Sequence, residues 1–367
     1  MGYNVILKNS EQTLHLKSEL PGPGEDDFNV SLLWLRENCR CPDCYSELTH
    51  QRKFLATDLN LNITARYVTL LGDVLTVLWD NDPQVQIQPD RAGPGEPPFL
   101  WTGASVDGLL TRLTAADVLL ESGTRKLLSD IFTYGVGVVD KVDPTIEATR
   151  TLVTSVCTHI RSTLFGSDIY TLSADLSYED TAYTNQELGL HTDNTYFIYP
   201  TGVQIFHCLQ PAEQGGDTLL VDAFHAASLL RSQNKQAYDT LTRMSVEFEY
   251  RDSSHYYAAR HRVLEQDEVT RQLKAVRFNL YDRSPRVQFP SSPRDVKLFY
   301  SSLQQFTRLL HSPDLCYSLK LTPGRVLFVN NWRVLHGRSS YRGQRSLAGC
   351  YVTMGNLMSR ARMLKLI

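Results

Sequence analysis

His191 and Asp193 stand two residues apart in the stretch LGLHTDNTYF, residues 188–197. On an extended strand, side chains i and i+2 leave the same face, so this imidazole and this carboxylate would converge on one spot. A second, distant imidazole turns such a pair into a two-histidine, one-carboxylate donor set, which suits Fe(II) and leaves three coordination positions open. Among the ten histidines, only His191 has an aspartate two residues on. His336 follows the apolar strand pattern of VLFVNNWRVL and supplies the distant imidazole. Two open positions suit the keto-acid end of 2-oxoglutarate, and the third suits O₂. The far carboxylate of that cosubstrate calls for a planar, permanently charged, bidentate partner. Arg345, opening the strand-like RSLAGCYV, has that form, with Arg342 the nearest other candidate. Thr218, in GGDTLLVDAF, offers a hydroxyl to the same carboxylate.

A second cluster of donors is Cys39, Cys41 and Cys44 in CRCPDC. Three thiolates in a tight loop read as part of a structural Zn²⁺ site, which needs a fourth ligand; without one they are ordinary thiols of a reducing compartment. His50 is one candidate for that ligand. The remaining cysteines, Cys157, Cys208, Cys316 and Cys350, are scattered through apolar stretches and read as reduced core residues of an intracellular protein.

These residues need elements to position them. The chain has 367 residues, 42% hydrophobic and 21% charged, with a net charge of −3. That length and composition allow a large core and about two domains. The charge gives no basic excess for nucleic acid, and no apolar run approaches the ~20 residues that span a bilayer. The N-terminal MGYNVILKNSEQTLHL reads as strand rather than as a signal peptide or presequence, so a cytoplasmic location is expected. Residues 1–95 alternate in strand fashion and read as a small β-rich domain, with the cysteines in a turn after the Trp34 strand. The Pro- and Gly-dense stretch 89–103 reads as a linker. Residues 104–131 and 144–165 are helical in pattern, as are 223–234 and 293–311. The strand patterns from AYTNQELGLHTD to LAGCYVTM, with their Gly-Gly turns, suggest a jelly-roll-type domain over 96–367, mainly β with packing helices.

The motifs HTDNTYF, GVQIFHCL, GGDTLLVDAF, PGRVLFVNNWRVLHGR, GCYVT and MSRARML, with WLRENCRCPDCY upstream, together resemble the gamma-butyrobetaine and trimethyllysine dioxygenases, from about Trp34 to the C-terminus. The resemblance implies a double-stranded β-helix, Fe(II) on His191, Asp193 and His336, 2-oxoglutarate on Arg345, and ascorbate as reductant. It implies hydroxylation of an unactivated C–H with release of succinate and CO₂. The substrates of that family carry a trimethylammonium group, which cannot donate a hydrogen bond and is held by aromatic faces. Tyr183 and Tyr351 match cage tyrosines. Tyr170 falls where the family usually has Trp, and Phe165 or Gly166 falls at the last cage position. Asp180, eleven residues before His191, matches the trimethyllysine branch, where a carboxylate can pair with an α-ammonium; the butyrobetaine branch has Asn. Asn279 and Tyr281 fall where the family contacts the substrate carboxylate. The family's zinc histidine has no counterpart, since Pro83 or Gln84 falls there.

The expected partner is therefore a small quaternary-ammonium molecule, with no nucleic acid or membrane; a homodimer stays open, as does a mitochondrial location. Butyrobetaine or another small quaternary-ammonium acid is the alternative substrate. A non-catalytic binding protein on the same scaffold is the alternative from another class.

Overall fold

The computed structural model of the protein describes residues 3–18, 27–53, 59–71, 74–80, 85–87, 98–163, 167–173, 183–285 and 292–367. Asp180, Phe165, Gly166, Pro83, Gln84 and most of the expected linker lie outside these residues. The chain divides into two compact units, Met1–Pro94 and Gly95–Ile367.

In the first unit, Tyr3–Lys8, Thr13–Ser18 and Phe28–Ser31 form one antiparallel sheet, and Ala65–Leu71, Val74–Trp79 and Val85–Ile87 another. Along Val74–Trp79 every second residue is buried, and Leu75, Val77 and Trp79 join one apolar cluster with Leu14 and Leu16. The Trp34 segment is not the strand expected from its pattern. Leu32–Glu37 is a helix, because Ser31 accepts the Trp34 N–H as an N-cap and Leu32 and Leu35 share the buried face.

Ten strands build the two principal sheets of the second unit: β1 (Arg112–Thr114), β2 (Val136–Asp140), β3 (Ile169–Leu172), β4 (Leu188–His191), β5 (Val203–Gln210), β6 (Thr218–Asp222), β7 (Cys316–Leu319), β8 (Val326–Asn330), β9 (Val334–Arg338) and β10 (Ser346–Val352). The larger sheet runs β3-β10-β5-β8-β2-β1, with only the β2/β1 pair parallel. The smaller runs β4-β9-β6-β7, antiparallel throughout.

Alternation along the smaller sheet decides what faces inward. Leu190, Val221 and Leu335 join the apolar cluster built on helices Ala223–Gln233, Lys235–Arg243 and Pro293–Leu310. Their chain neighbours His191, Leu220 and His336 therefore turn to the opposite face. There Leu220 and Val334 meet Phe206, Leu327 and Leu347 of the larger sheet in one buried cluster. The other face of the larger sheet packs on helices Glu121–Tyr134 and Ile146–Cys157, with Ile205 and Phe328 against Leu127, Ile131, Leu152 and Val156.

Several elements differ from the sequence pattern. The tract 104–131 is broken into Gly103–Val106, β1, Ala115–Val118 and Glu121–Tyr134, with Thr114 capping a new turn inside it. The helix expected over 144–165 runs Ile146–Cys157, started by Thr145, whose hydroxyl accepts the Ala148 N–H. Helices Lys235–Arg243 and Met354–Met363 have no counterpart in the expected elements. The strand through His191 ends at His191 itself. Asn194 has φ +56°, in the left-handed region that Asn tolerates, and the chain turns there.

Candidate active site

His191 and His336 are direct partners across β4 and β9, and their ring centroids lie 4.4 Å apart. Asp193 lies past the end of β4, so the same-face geometry of a strand is not what brings it in. A turn does so instead. Its carboxylate sits 3.3 Å from His191 Nε2 and 3.6 Å from His336 Nε2. One donor atom from each residue falls within 4.8 Å of the other two, close enough for a single metal ion. The His191 Nδ1–H donates to the Gly189 carbonyl at 2.8 Å, which leaves the Nε2 lone pair aimed at the cluster. Burial pushes the His336 imidazole down to about 4, so it is neutral at pH 7. Burial acts the same way on His191, but the hydrogen bond and charge of Asp193 outweigh it, and its pKa is raised. Burial would raise Asp193, yet the two imidazoles hold it below the ordinary carboxylate value.

The cluster lines a cleft open to solvent, with walls from both sheets. Arg345, just before β10, is 8% exposed and lines it together with Thr218 of β6. Among the described residues no carboxylate forms a salt bridge with Arg345, and burial with the nearby Arg338 charge lowers its pKa to about 10. A buried cation facing a cavity is a ready partner for an anion. Arg342, the other candidate, is exposed and does not line the cleft.

The aromatic wall contains Tyr170, Tyr183 and Tyr351, all buried. Tyr170 pairs with Gly349 across β3 and β10, and a Cβ at Gly349 would lie 2.5 Å from the Tyr170 ring. That glycine lets the ring settle 5.4 Å from the Tyr351 ring. The Gln204 amide donates to the Tyr170 hydroxyl at 2.9 Å and fixes it. Burial, with Asp193 nearby, keeps both phenols well above their usual pKa, so they stay neutral.

Asn279 and Tyr281 also reach the cleft. The Asn279 carboxamide is engaged within its own turn: Oδ1 accepts the Tyr281 N–H at 2.9 Å, and Nδ2 donates to the Asp282 carboxylate at 2.8 Å. The Tyr281 hydroxyl accepts the Gly189 N–H at 2.9 Å, beside His191.

Other cleft residues had no expected role. Arg338 lies two residues beyond His336 on β9, and that spacing is the signal that places both on one face. Its Nη2 donates to the Thr184 and Gln186 carbonyls, both at 2.7 Å, and so holds the loop that follows Tyr183. Tyr196 and Tyr250, 5.1 Å apart between centroids, come from segments far apart in sequence, and no local pattern marks them.

In the first unit the Sγ atoms of Cys39, Cys41 and Cys44 lie within 4.8 Å of one another. Burial and the neighbouring thiols push Cys39 up to about 12, while hydrogen bonds from Cys39 and the Cys44 and Asp43 amides outweigh burial at Cys41 and lower it. His50 is not among this group and is exposed. All seven cysteines are free thiols. No helix among the described residues is long and apolar enough to cross a membrane.

Residues 103–351 match the family model "Taurine catabolism dioxygenase TauD, TfdA family". The Rattus norvegicus protein "Trimethyllysine dioxygenase, mitochondrial" is 33% identical over 351 residues, covering 91% of this chain and 82% of its own. The Pongo abelii "Gamma-butyrobetaine dioxygenase" is 28% identical over 370 residues, covering 93% and 92%. Among solved structures, AAD-2 in complex with Mn(II) and N-oxalylglycine superposes with a TM-score of 0.51 at 14% identity, over 66% of this chain and 96% of that one, a likeness of fold.

Proposed function

This chain belongs to the TauD/TfdA dioxygenase family, and from that premise we propose that it hydroxylates N6,N6,N6-trimethyllysine at an unactivated C–H, with Fe(II) and 2-oxoglutarate. The observation that carries the reading is the His191–Asp193–His336 cluster in a cleft that also holds a buried arginine and a tyrosine wall. We assign the two sheets to a double-stranded β-helix, with the cluster between them. The donor set fits the metal: two neutral-capable imidazoles and one carboxylate suit Fe(II) and leave three positions for other ligands. When bound, the iron supplies O₂ activation coupled to decarboxylation of the cosubstrate, so that substrate, 2-oxoglutarate and O₂ give hydroxylated substrate, succinate and CO₂.

The residues of the chain do the rest. His191 and His336 present Nε2, with the His191 tautomer set by the Gly189 carbonyl. Arg345 and Thr218 take the distal carboxylate of 2-oxoglutarate; the buried guanidinium gains a charge-assisted pair there. Tyr170, Tyr183 and Tyr351 offer neutral ring faces to a trimethylammonium group, which needs no hydrogen-bond acceptor. Asp180 pairs with the α-ammonium of trimethyllysine, while Asn279 and Tyr281 border the substrate carboxylate. Butyrobetaine is the second reading, since a relative of that name aligns over most of the chain; it has no α-ammonium for Asp180 to pair. The triad, and an Arg345 paired with no carboxylate among the described residues, weigh against a binding protein without catalysis.

In the first unit Cys39, Cys41 and Cys44 carry two readings: part of a Zn²⁺ site with a fourth ligand from elsewhere, or ordinary thiols of a reducing compartment. Ascorbate is the expected reductant. The free thiols suit a reducing compartment, with the cytoplasm expected and a mitochondrial location, as in the name of the rat relative, the alternative.

The test is succinate formation and product mass for the iron-loaded enzyme, across trimethyllysine, butyrobetaine and other quaternary amines. Trimethyllysine is expected to be turned over fastest, and His191→Ala and His336→Ala to abolish turnover with the fold retained. Full succinate production by either variant, or a preference for butyrobetaine, refutes the corresponding assignment.

A further inference from the structure

Two of the three candidate ligands are fixed by the sheet. His191 and His336 are paired residues of adjacent strands, and the ladder sets their separation. Asp193 has no such support, because β4 ends at His191 and the chain reverses at Asn194. Something else must hold its carboxylate within 3.6 Å of both imidazoles.

Asn331 does this from the turn between β8 and β9. Its side chain is fully buried and all of its hydrogen-bonding groups are spent on one segment. Its Oδ1 accepts the Asp193 N–H at 2.7 Å. Its Nδ2 donates to the Asp193 carbonyl at 3.1 Å and to the Thr201 carbonyl at 2.9 Å. The carboxamide thus clasps the peptide on each side of the Asp193 Cα and ties both to the far end of the same loop. Its own N–H donates to the Gly202 carbonyl at 3.0 Å, closing the attachment. From the other side, the Thr192 N–H donates to the Phe278 carbonyl at 2.7 Å, and the Phe278 N–H donates back to the Thr192 hydroxyl at 3.0 Å.

We propose that Asn331 is the positioning residue of the metal centre, presetting the Asp193 carboxylate against the two histidines before any metal arrives. This rests on the metal reading of the triad. The chemistry is specific to a carboxamide. Only Asn or Gln offers one acceptor and two donor hydrogens from a single planar group, and Gln is one methylene longer. An alanine leaves the Asp193 N–H and two carbonyls buried without partners, and an aspartate can accept the N–H but turns a carboxylate toward both carbonyls. Partners that orient metal ligands commonly contribute ten- to a hundredfold to metal affinity.

The experiment measures Mn(II) binding by calorimetry to the full chain, without cosubstrate, for wild type, Asn331→Ala, Asn331→Asp and Thr149→Val. Thr149 lies away from the cleft and hydrogen-bonds the buried His207 at 2.7 Å, so its loss reports a general cost to the fold. Metal-free melting temperatures are taken for all four. Both Asn331 variants are expected to bind Mn(II) roughly ten to a hundred times more weakly than wild type, with Thr149→Val binding like wild type at its lowered melting temperature. Asn331→Asp, nearly the same shape, carries the test should the alanine variant not fold. Dissociation constants within twofold of wild type for the folded Asn331 variants overturn the proposal, as does an equal weakening in Thr149→Val. A wild type that binds no Mn(II) refutes the metal reading itself, and the role of Asn331 with it.

Discussion

Arg345 carries its charge into a cavity where burial and Arg338 already make that charge costly, with its pKa lowered to about 10. A residue held so pays back only when an anion arrives. Arg345→Lys keeps a cation but loses the two-pronged donor geometry. Losing a charge-assisted bond of about 1.5 kcal/mol or more should weaken 2-oxoglutarate binding about tenfold or more. Substrate affinity should change little, because the tyrosine wall is separate. Titration of 2-oxoglutarate against the Mn(II)-loaded enzyme checks this, and an unchanged affinity would move the role to Arg338. At this scale the sequence was informative where chemistry imposes a short spacing: His191 with Asp193 and the three cysteines could be read directly. Asn331 lies inside VLFVNNWRVLHGR, but no local pattern marks its role, since it bonds a peptide 138 residues away. Tyr250 was hidden for the same reason.

Between elements, one buried ion pair locks the strands of the site to their surroundings. Asp222, ending β6, accepts from Arg333 Nε at 3.0 Å and Nη2 at 2.7 Å, just ahead of β9. It also caps helix Ala223–Gln233 through the Phe224 N–H and accepts the Trp101 N–H. The Arg333 guanidinium, 2% exposed, completes its bonds on the Thr133 and Phe99 carbonyls. Asp222→Ala strands that cation in the core and removes the cap, and should cost about 3–5 kcal/mol in urea unfolding. A loss below about 1 kcal/mol would show that the pair is dispensable. The elements most legible in the sequence were those with strict alternation, such as Val74–Trp79, or with a clear cap, such as Pro293–Leu310 behind Ser292. Leu32–Glu37 reads as strand in the sequence because six residues carry too little periodicity to separate a short buried helix from a strand. The break after His191 was missed because the Thr and Tyr that follow are strand formers, and the tertiary clasp on Asp193 overrides their propensity.

For the molecule as a whole, acid resistance depends on imidazoles kept neutral in the core, and His207 isolates that effect away from the metal cluster. It lies on β5, fully buried. The Thr149 hydroxyl donates to the Thr145 carbonyl at 2.8 Å, so its oxygen accepts the His207 Nδ1–H at 2.7 Å. Burial pushes His207 down to about 4. In the unfolded chain it titrates near 6.5. Between those values the unfolded chain binds a proton that the folded chain does not, so stability falls as pH drops. The contribution is fully present above about pH 6.5 and is lost toward pH 4, by up to about 3 kcal/mol. His336 has a similar depressed value in the metal-free protein and adds to the same slope, as do the carboxylates at lower pH. A His207→Gln variant removes only one of these titrations. Urea unfolding of metal-free protein at intervals from pH 7 to pH 4 should therefore show a shallower decline for the variant than for wild type, with the gap opening below about pH 6.5. Parallel stability curves for the two proteins would mean that His207 is protonated in the fold, and that its burial does not set the acid limit of the larger sheet.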